Sequence, residues 1–209
     1  AVKGEEPAMD SIELRRYVRD VPNFPKPGIL FRDVTPLLAD RAALPAAVEA
    51  LAAPFRKEGI EQVLGIESRG FVLGAPVALA LDAGFTLVRK QGKLPYETRS
   101  VTYDLEYGTD TVEMHIDAVK PGQRVLIVDD LIATGGTAAA AVKLAREAGA
   151  QVVGCAFLIE LKGLGGRAQL GVDPESGQQW RVAPVFLRQA AAAARTGPAS
   201  AQVIDLPRK

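Results

Sequence analysis

The amino-acid sequence predicts an α/β fold, a central and mostly parallel sheet flanked by helices, on three observations. Short apolar runs recur along the chain: QVLGI (Gln62 to Ile66), FTLVRK (Phe85 to Lys90), RVLIVDD (Arg124 to Asp130) and VVGCAFLIEL (Val152 to Leu161). Strands covered on both faces read this way, because neither face is left for alternating polar residues. Segments of helical periodicity separate the runs, as the crossovers between parallel strands require. Finally, the run ending in Asp129 and Asp130 delivers both acids to the carboxyl end of a strand, where open α/β sheets bind ligands.

The elements follow in order. Asp10 with Glu13 forms a capping box before a helix over IELRRYVRDV (Ile12 to Val21). ILFRDV (Ile29 to Val34) is a short strand between PKPG and TP. Leu44, Val48, Leu51 and Phe55 recur at helical spacing, and Gly59 stops that helix. QVLGI is followed by ESRG and a helix that starts near Phe71. After FTLVRK, VEMHI (Val112 to Ile116) alternates inward Val112, Met114 and Ile116 with outward Glu113 and His115, the pattern of a half-exposed strand. A helix over Thr137 to Gly149 closes on its glycine. Ala190 to Ala194 is a biased segment, compatible with a short helix or a loop, and no internal repeat occurs.

Composition narrows the function classes. The chain of 209 residues can close one hydrophobic core, so residues 1–209 are expected to form a single domain. Lys plus Arg (25) balance Asp plus Glu (25), which argues against a general nucleic-acid or membrane binder. The first residues show no secretory signal, and the run Phe71 to Leu81 is far shorter than the roughly 20 residues of a membrane span. A cytoplasmic location is therefore expected. Cys155 has no cysteine partner in the chain and reads as a core residue, and the lone His115 has no partner motif.

VLIVDDLIATGGT (Val125 to Thr137) carries the functional argument. A turn of small residues, Ala133 to Gly136, leads from the two acids into a helix. Small side chains let backbone N–H groups converge on an anion, and the helix N-terminus adds its dipole and unpaired donors. Thr134 and Thr137 add hydroxyls. A phosphate suits the loop, and the carboxylates suit the vicinal hydroxyls of a ribose beside it. Acids after an apolar strand also occur in Walker B elements, but the chain contains no G-x-x-x-x-G-K-[ST]. They occur in receiver domains too, which need no phosphate loop directly after the acids.

The stretch resembles the phosphoribosyl pyrophosphate (PRPP) signature of type I phosphoribosyltransferases, and the chain is similar to those members that use adenine. FPKPGILFRDVTPLL (Phe24 to Leu38), GIESRGF (Gly65 to Phe71), VRKQGKLP (Val88 to Pro95), YDLEYG (Tyr103 to Gly108) and the signature occur in family order. The resemblance implies the type I phosphoribosyltransferase fold with a small hood, near residues 21–38 and 161–209, and a flexible hairpin lid. It implies transfer of phosphoribose from PRPP to adenine, giving AMP and pyrophosphate in purine salvage. Mg²⁺ is the implied cofactor, held mainly through PRPP and water rather than by a protein metal site. A homodimer is implied, with no nucleic-acid or membrane partner.

Residue roles follow from the same resemblance. Ala133, Thr134, Gly135, Gly136 and Thr137 would cradle the 5′-phosphate, and Asp129 and Asp130 would hold the ribose hydroxyls. Glu67, Ser68, Arg69 and Gly70 would form the pyrophosphate loop, with Arg69 foremost. Lys90 and Lys93 would add positive charge, and Arg89 would serve a neighbouring subunit. Phe31 and Leu161 would sandwich adenine beside Leu131, while backbone groups of Leu30 and Arg32 read its edge. YETRSVTYDLEYG (Tyr96 to Gly108) would be the lid, with Glu106 handling the purine proton and Tyr107 beside it on PRPP. The departure from the family pattern is residues 171–200, which read as an insertion before AQVIDL, the expected terminal strand. A 6-oxopurine transferase on the same fold is the nearest alternative. A PRPP-sensing regulatory module that contacts DNA is the remote one, since only a short segment precedes FPKPG.

Overall fold

The computed structural model describes residues 11–104, 108–171 and 181–189. The chain opens with α1 (Ser11–Leu14), a 3₁₀ turn (Arg15–Tyr17) and β1 (Arg19–Pro22). The helix expected as far as Val21 is thus cut short. β1 pairs antiparallel with β2 (Leu30–Asp33), so a tertiary partner overrides the helical periodicity there. Arg19 Nε and Nη2 reinforce the ribbon, donating to Asp33 Oδ2 at 3.0 and 2.8 Å. Asp10 of the expected capping box lies outside the described residues.

α2 (Thr35–Ala39) and α3 (Ala43–Ala52) follow. The innermost stripe of α3 is Ala43, Ala47 and Leu51, with Leu44 and Val48 on its shoulder, and Phe55 is fully buried just beyond. Alanines on the inner stripe let α3 lie close to its neighbours.

Among the described residues, the rest of the chain builds a seven-stranded sheet: β3 (Gln62–Ile66), β4 (Gly84–Lys90), β5 (Thr98–Asp104), β6 (Thr109–His115), β7 (Arg124–Ile132), β8 (Gln151–Lys162) and β9 (Arg181–Gln189), in the order β5-β6-β4-β3-β7-β8-β9. The five strands from β4 to β9 in that order are parallel, and β5 and β6 form an antiparallel hairpin on the β4 edge. α4 (Arg69–Ala80) crosses from β3 to β4, and α5 (Gly136–Glu147) from β7 to β8. The short α6 (Gly166–Leu170) follows β8.

Both faces of the sheet are covered, as the unbroken apolar runs required. Along β7, Val125 and Ile127 enter the cluster that contains Ala141 and Leu144 of α5. Leu126 and Val128 enter the opposite cluster, with Leu73 and Val77 of α4 and Leu51 of α3. Substituting any of these large side chains by alanine would cost about 2–5 kcal/mol. No helix among the described residues is long and apolar enough to cross a membrane.

One further expectation needs correction, and one segment takes on definite structure. VEMHI does not alternate as read: Glu113 is only 4% exposed, whereas Ile116, past the end of β6, is 42% exposed. Three hydrogen bonds to its carboxyl group explain how Glu113 is buried. The segment read as an insertion contains β9, which pairs in parallel with β8 at the sheet edge. Pro184 within it lacks an N–H, a residue tolerated at sheet edges rather than in central strands. AQVIDL and the alanine run lie outside the described residues.

Candidate active site

β3 and β7 are neighbours, yet the helices that follow them pack on opposite faces of the sheet. Where adjacent parallel strands send their crossovers in opposite directions, their carboxyl ends open a crevice. Every site residue read from the sequence on β3, β7 or the loops after them falls at this end.

Asp129 and Asp130 lie near the carboxyl end of β7, followed within the strand by Leu131 and Ile132. Asp130 is 4% exposed, and Arg69 Nε, from the first turn of α4, donates to its Oδ2. Burial alone would lower the Arg69 pKa, but the charge and hydrogen bond of Asp130 raise it above its ordinary value. Burial first, and the neighbouring Asp130 charge second, push Asp129 well above the usual carboxylate range. Its Oδ1 accepts the Asp130 amide at 2.8 Å. Gly70 makes this approach possible: a Cβ there would lie 2.7 Å from the Val128 carbonyl and 3.1 Å from Asp129 Oδ1.

The loop Ala133–Gly136 then turns into α5. Gly135 has φ +87°, a left-handed conformation that costs glycine nothing, and its carbonyl accepts the Ala139 amide at 2.8 Å. The first amides of α5 have no acceptor inside the helix. Gly166 backs the loop, where an added Cβ would meet the Ala133 carbonyl at 2.5 Å. Thr134 is half-buried in the turn. Thr137 shares a 3.0 Å hydrogen bond with the Tyr103 hydroxyl, which lies 3.1 Å from Lys90 Nζ and donates to Asp110 Oδ2 at 3.2 Å. Lys90 is also paired with Asp110. Burial opposes the Lys90 charge, yet these partners raise its pKa, while burial raises that of Tyr103.

A second cluster forms around Glu67, directly after β3. Arg89 Nε and the Lys90 amide each donate to its Oε2 at 3.1 Å, and Lys93 Nζ donates to Oε1. Burial pushes the Glu67 pKa up, but the Lys93, Lys90 and Arg89 donors together bring it below the ordinary value. Arg89 also donates to the Lys93 carbonyl at 3.1 Å and lies over the Phe71 ring. It is thus engaged within its own chain. The peptide from Glu67 to Ser68 is cis, and Ser68 precedes α4.

The third group lies toward the β1–β2 ribbon. The Phe31 ring stands 5.7 Å from the Arg69 guanidinium carbon and packs edge-on against Phe24, 5.3 Å between centroids. Leu30 is half-buried beside it, and the Arg32 side chain is paired with Asp20 at 2.5 Å. Leu131 and Leu161, near the ends of β7 and β8, are half-buried against the α3–α4 side of the core. Glu106 and Tyr107 lie outside the described residues, so the structure neither joins them to the site nor separates them from it.

Sequence reasoning missed three members of the surrounding network. Tyr103 and Asp110 face each other across the β5–β6 hairpin and connect it to Lys90 and Thr137. In the sequence both are visible only as polar residues of a hydroxyl-rich stretch. Glu113 is the third. Strand alternation puts it on the wrong face of β6 and holds no signal that could correct the placement.

Comparison with known proteins agrees with this geometry. Residues 38–176 match the family described as Phosphoribosyl transferase domain. The chain is 55% identical over 159 residues to an adenine phosphoribosyltransferase of Rhodopirellula baltica, spanning 76% of this chain and 77% of that protein. It is similar to the crystal structure of the adenine phosphoribosyltransferase from Rhodothermus marinus, at TM-score 0.78 and 55% identity, over 85% of this chain and 98% of that one. The Saccharomyces cerevisiae enzyme, solved with an imino-altritol bisphosphate and adenine, matches at TM-score 0.77 and 39% identity, over 84% and 98% of the two chains.

Proposed function

The chain belongs to the phosphoribosyl transferase family, and from that premise we propose how its site works: the enzyme transfers the 5-phosphoribosyl group of PRPP to adenine, giving AMP and pyrophosphate. The observation that carries the site assignment is the Arg69–Asp130 pair, which spans the β3–β7 crevice beside the glycine loop of α5.

Substitution at the anomeric carbon builds positive charge on the ribose and negative charge on the departing pyrophosphate. The protein must align both and neutralise the second. Ala133, Thr134, Gly135, Gly136 and Thr137 grip the 5′-phosphate, supported by the left-handed Gly135 and the unpaired first-turn amides. Asp129 and Asp130 hold the ribose hydroxyls. Arg69, with Glu67, Ser68 and Gly70, faces the pyrophosphate, and Lys90, Lys93 and Arg89 bring further positive charge to that end. Phe31 and Leu161 flank adenine with Leu131 nearby. Backbone groups of Leu30 and Arg32 read its edge, a role consistent with the Arg32 side chain being committed to Asp20. In this reading Glu106 handles the purine proton and Tyr107 contacts PRPP.

The donor set suits Mg²⁺ that arrives on its substrate. Glu67 is already occupied by two cations and an amide, and Asp130 by Arg69. When bound together with PRPP, Mg²⁺ would supply positive charge against the departing pyrophosphate. The same reading makes residues 1–209 one domain, acting in the cytoplasm. It makes the enzyme a homodimer, for which Val72 and Leu79 on α4 and Leu87 on β4 offer exposed apolar surface.

A panel of radiolabelled bases with PRPP and Mg²⁺ tests the assignment. Adenine is expected to be converted to its nucleotide at least about 100-fold more efficiently than hypoxanthine or xanthine, because a site that hydrogen-bonds one purine edge leaves polar groups unpaired with the other. Preferential conversion of a 6-oxopurine would refute it.

A further inference from the structure

Glu113 is buried in a strand face that the pattern of the sequence assigns to solvent, and the reaction as described makes no use of it. It stands opposite Arg89 in the β4–β6 register and opposite Ser100 in the β5–β6 register, between the strands that the 91–97 turn connects. Its Oε1 accepts the backbone amides of Lys93 and Leu94, both at 3.2 Å, and its Oε2 accepts the Thr98 hydroxyl at 3.4 Å. The carboxyl group therefore ties the middle of the turn to the residue that follows it, Thr98. The residue it holds first is Lys93, whose ammonium group reaches Glu67 and whose carbonyl receives Arg89.

We infer that Glu113 is a positioning residue for the pyrophosphate half of the site, fixing the turn so that Lys93 and Arg89 converge beside Glu67. The inference rests on reading that cation cluster as the pyrophosphate subsite. A turn of that length without such an anchor has many backbone states, and Lys93 is a long, part-exposed side chain whose reach depends on where its Cα is held. One acceptor shared by consecutive amides fixes the turn's direction as well as its distance. Removing it leaves two part-buried N–H groups unpaired, which favours conformations that turn them toward water.

The reverse reaction separates the two halves of the site, because pyrophosphate and AMP are added independently. Glu113→Ala is expected to raise KM for pyrophosphate, and for PRPP in the forward direction, by about tenfold, the worth of one or two lost hydrogen bonds. KM for AMP should stay within about twofold, since the proposed reading places no part of AMP on that cluster. Glu113→Gln retains an oxygen for both amides and is expected to behave like the parent. Glu113→Asp, one methylene shorter, should fall between them and serves if the alanine variant does not fold. Parallel rises in KM for AMP and pyrophosphate, a glutamine variant as impaired as alanine, or loss of folded protein in both shortened variants would overturn the inference. Lys93→Ala distinguishes the levels of the argument. If it leaves pyrophosphate KM unchanged, the subsite reading fails. If it raises that KM while Glu113→Ala does not, only the role of Glu113 fails. In the double variant the combined effect should be less than the product of the two, because Glu113 acts through Lys93.

Discussion

The two anion-handling regions of the crevice are built from different materials. The loop Ala133–Thr137 is a continuous stretch whose donors are backbone amides and hydroxyls, fixed by Gly135 at φ +87° and by Gly166 packed behind it. The cluster around Glu67 is made of two cationic side chains and one amide from β4 and the turn after it, collected around one carboxylate. Backbone amides cannot titrate or change rotamer, so the first region is ready-made for an anion. The cations of the second are held in place by acids until an anion competes for them. In the proposed reading, one end of PRPP would meet a rigid cradle, and the other would meet charges that must exchange partners.

The largest expected effect falls where the regions meet, at Asp130. Asp130→Asn removes the charge that Arg69 faces in a buried setting and the carboxylate proposed for the ribose. Breaking a buried pair from one side costs about 3–5 kcal/mol. A fall in kcat/KM for PRPP of at least about 100-fold is expected in steady-state assays. Normal kinetics in this variant would show that the two regions do not communicate through the Arg69–Asp130 pair.

Gly135→Ala examines the rigid cradle alone. The new Cβ would collide with the Gly166 carbonyl, and φ +87° strains any L-residue, so a loss of about 1–3 kcal/mol is expected in denaturant unfolding. KM for PRPP should rise with it, as should KM for AMP, because both carry the 5′-phosphate. That joint rise is the opposite of the split expected for Glu113→Ala. Equal behaviour of the two variants would abolish the distinction between the regions.

The same contrast decides what the sequence could reveal. Strand, acids, glycine turn and helix follow one another without interruption from β7 into α5, so the cradle is legible as a string of letters. The parallel core was legible for a similar reason: Val125 to Val128 are apolar on both faces, and both faces are covered. The Glu67 cluster depends on which segments fold together. Glu67 and Lys93 have no local relation, and Tyr103, Asp110 and Thr137 meet only once the hairpin lies against α5. Glu113 shows the limit most plainly, since a buried acid with three donors obeys the same alternation rule as a solvated one. β9 was hidden by Pro184, which argues against a central strand and is silent about an edge.

Protonation offers the smallest and most selective test, because the regions are expected to respond to acid in opposite directions. The folded-state pKa of Glu67 is lowered, so its contribution to stability is present above its unfolded value near 4.5 and is lost as pH falls through the folded value. Asp129 is raised by burial and by Asp130, so its ionisation opposes folding by an amount that grows as pH climbs above its unfolded value near 3.8 and is complete once the folded value is passed. Glu67→Gln should therefore be less stable than the parent at neutral pH, and Asp129→Asn more stable, by chemical denaturation in the absence of ligand. The Asp129→Asn difference should shrink as pH falls from the raised folded value to the unfolded value of 3.8, whereas the Glu67→Gln difference should shrink only as pH falls below 4.5 through the lowered folded value. Matching pH profiles for the two variants would mean that the cations around Glu67 do not outweigh its burial.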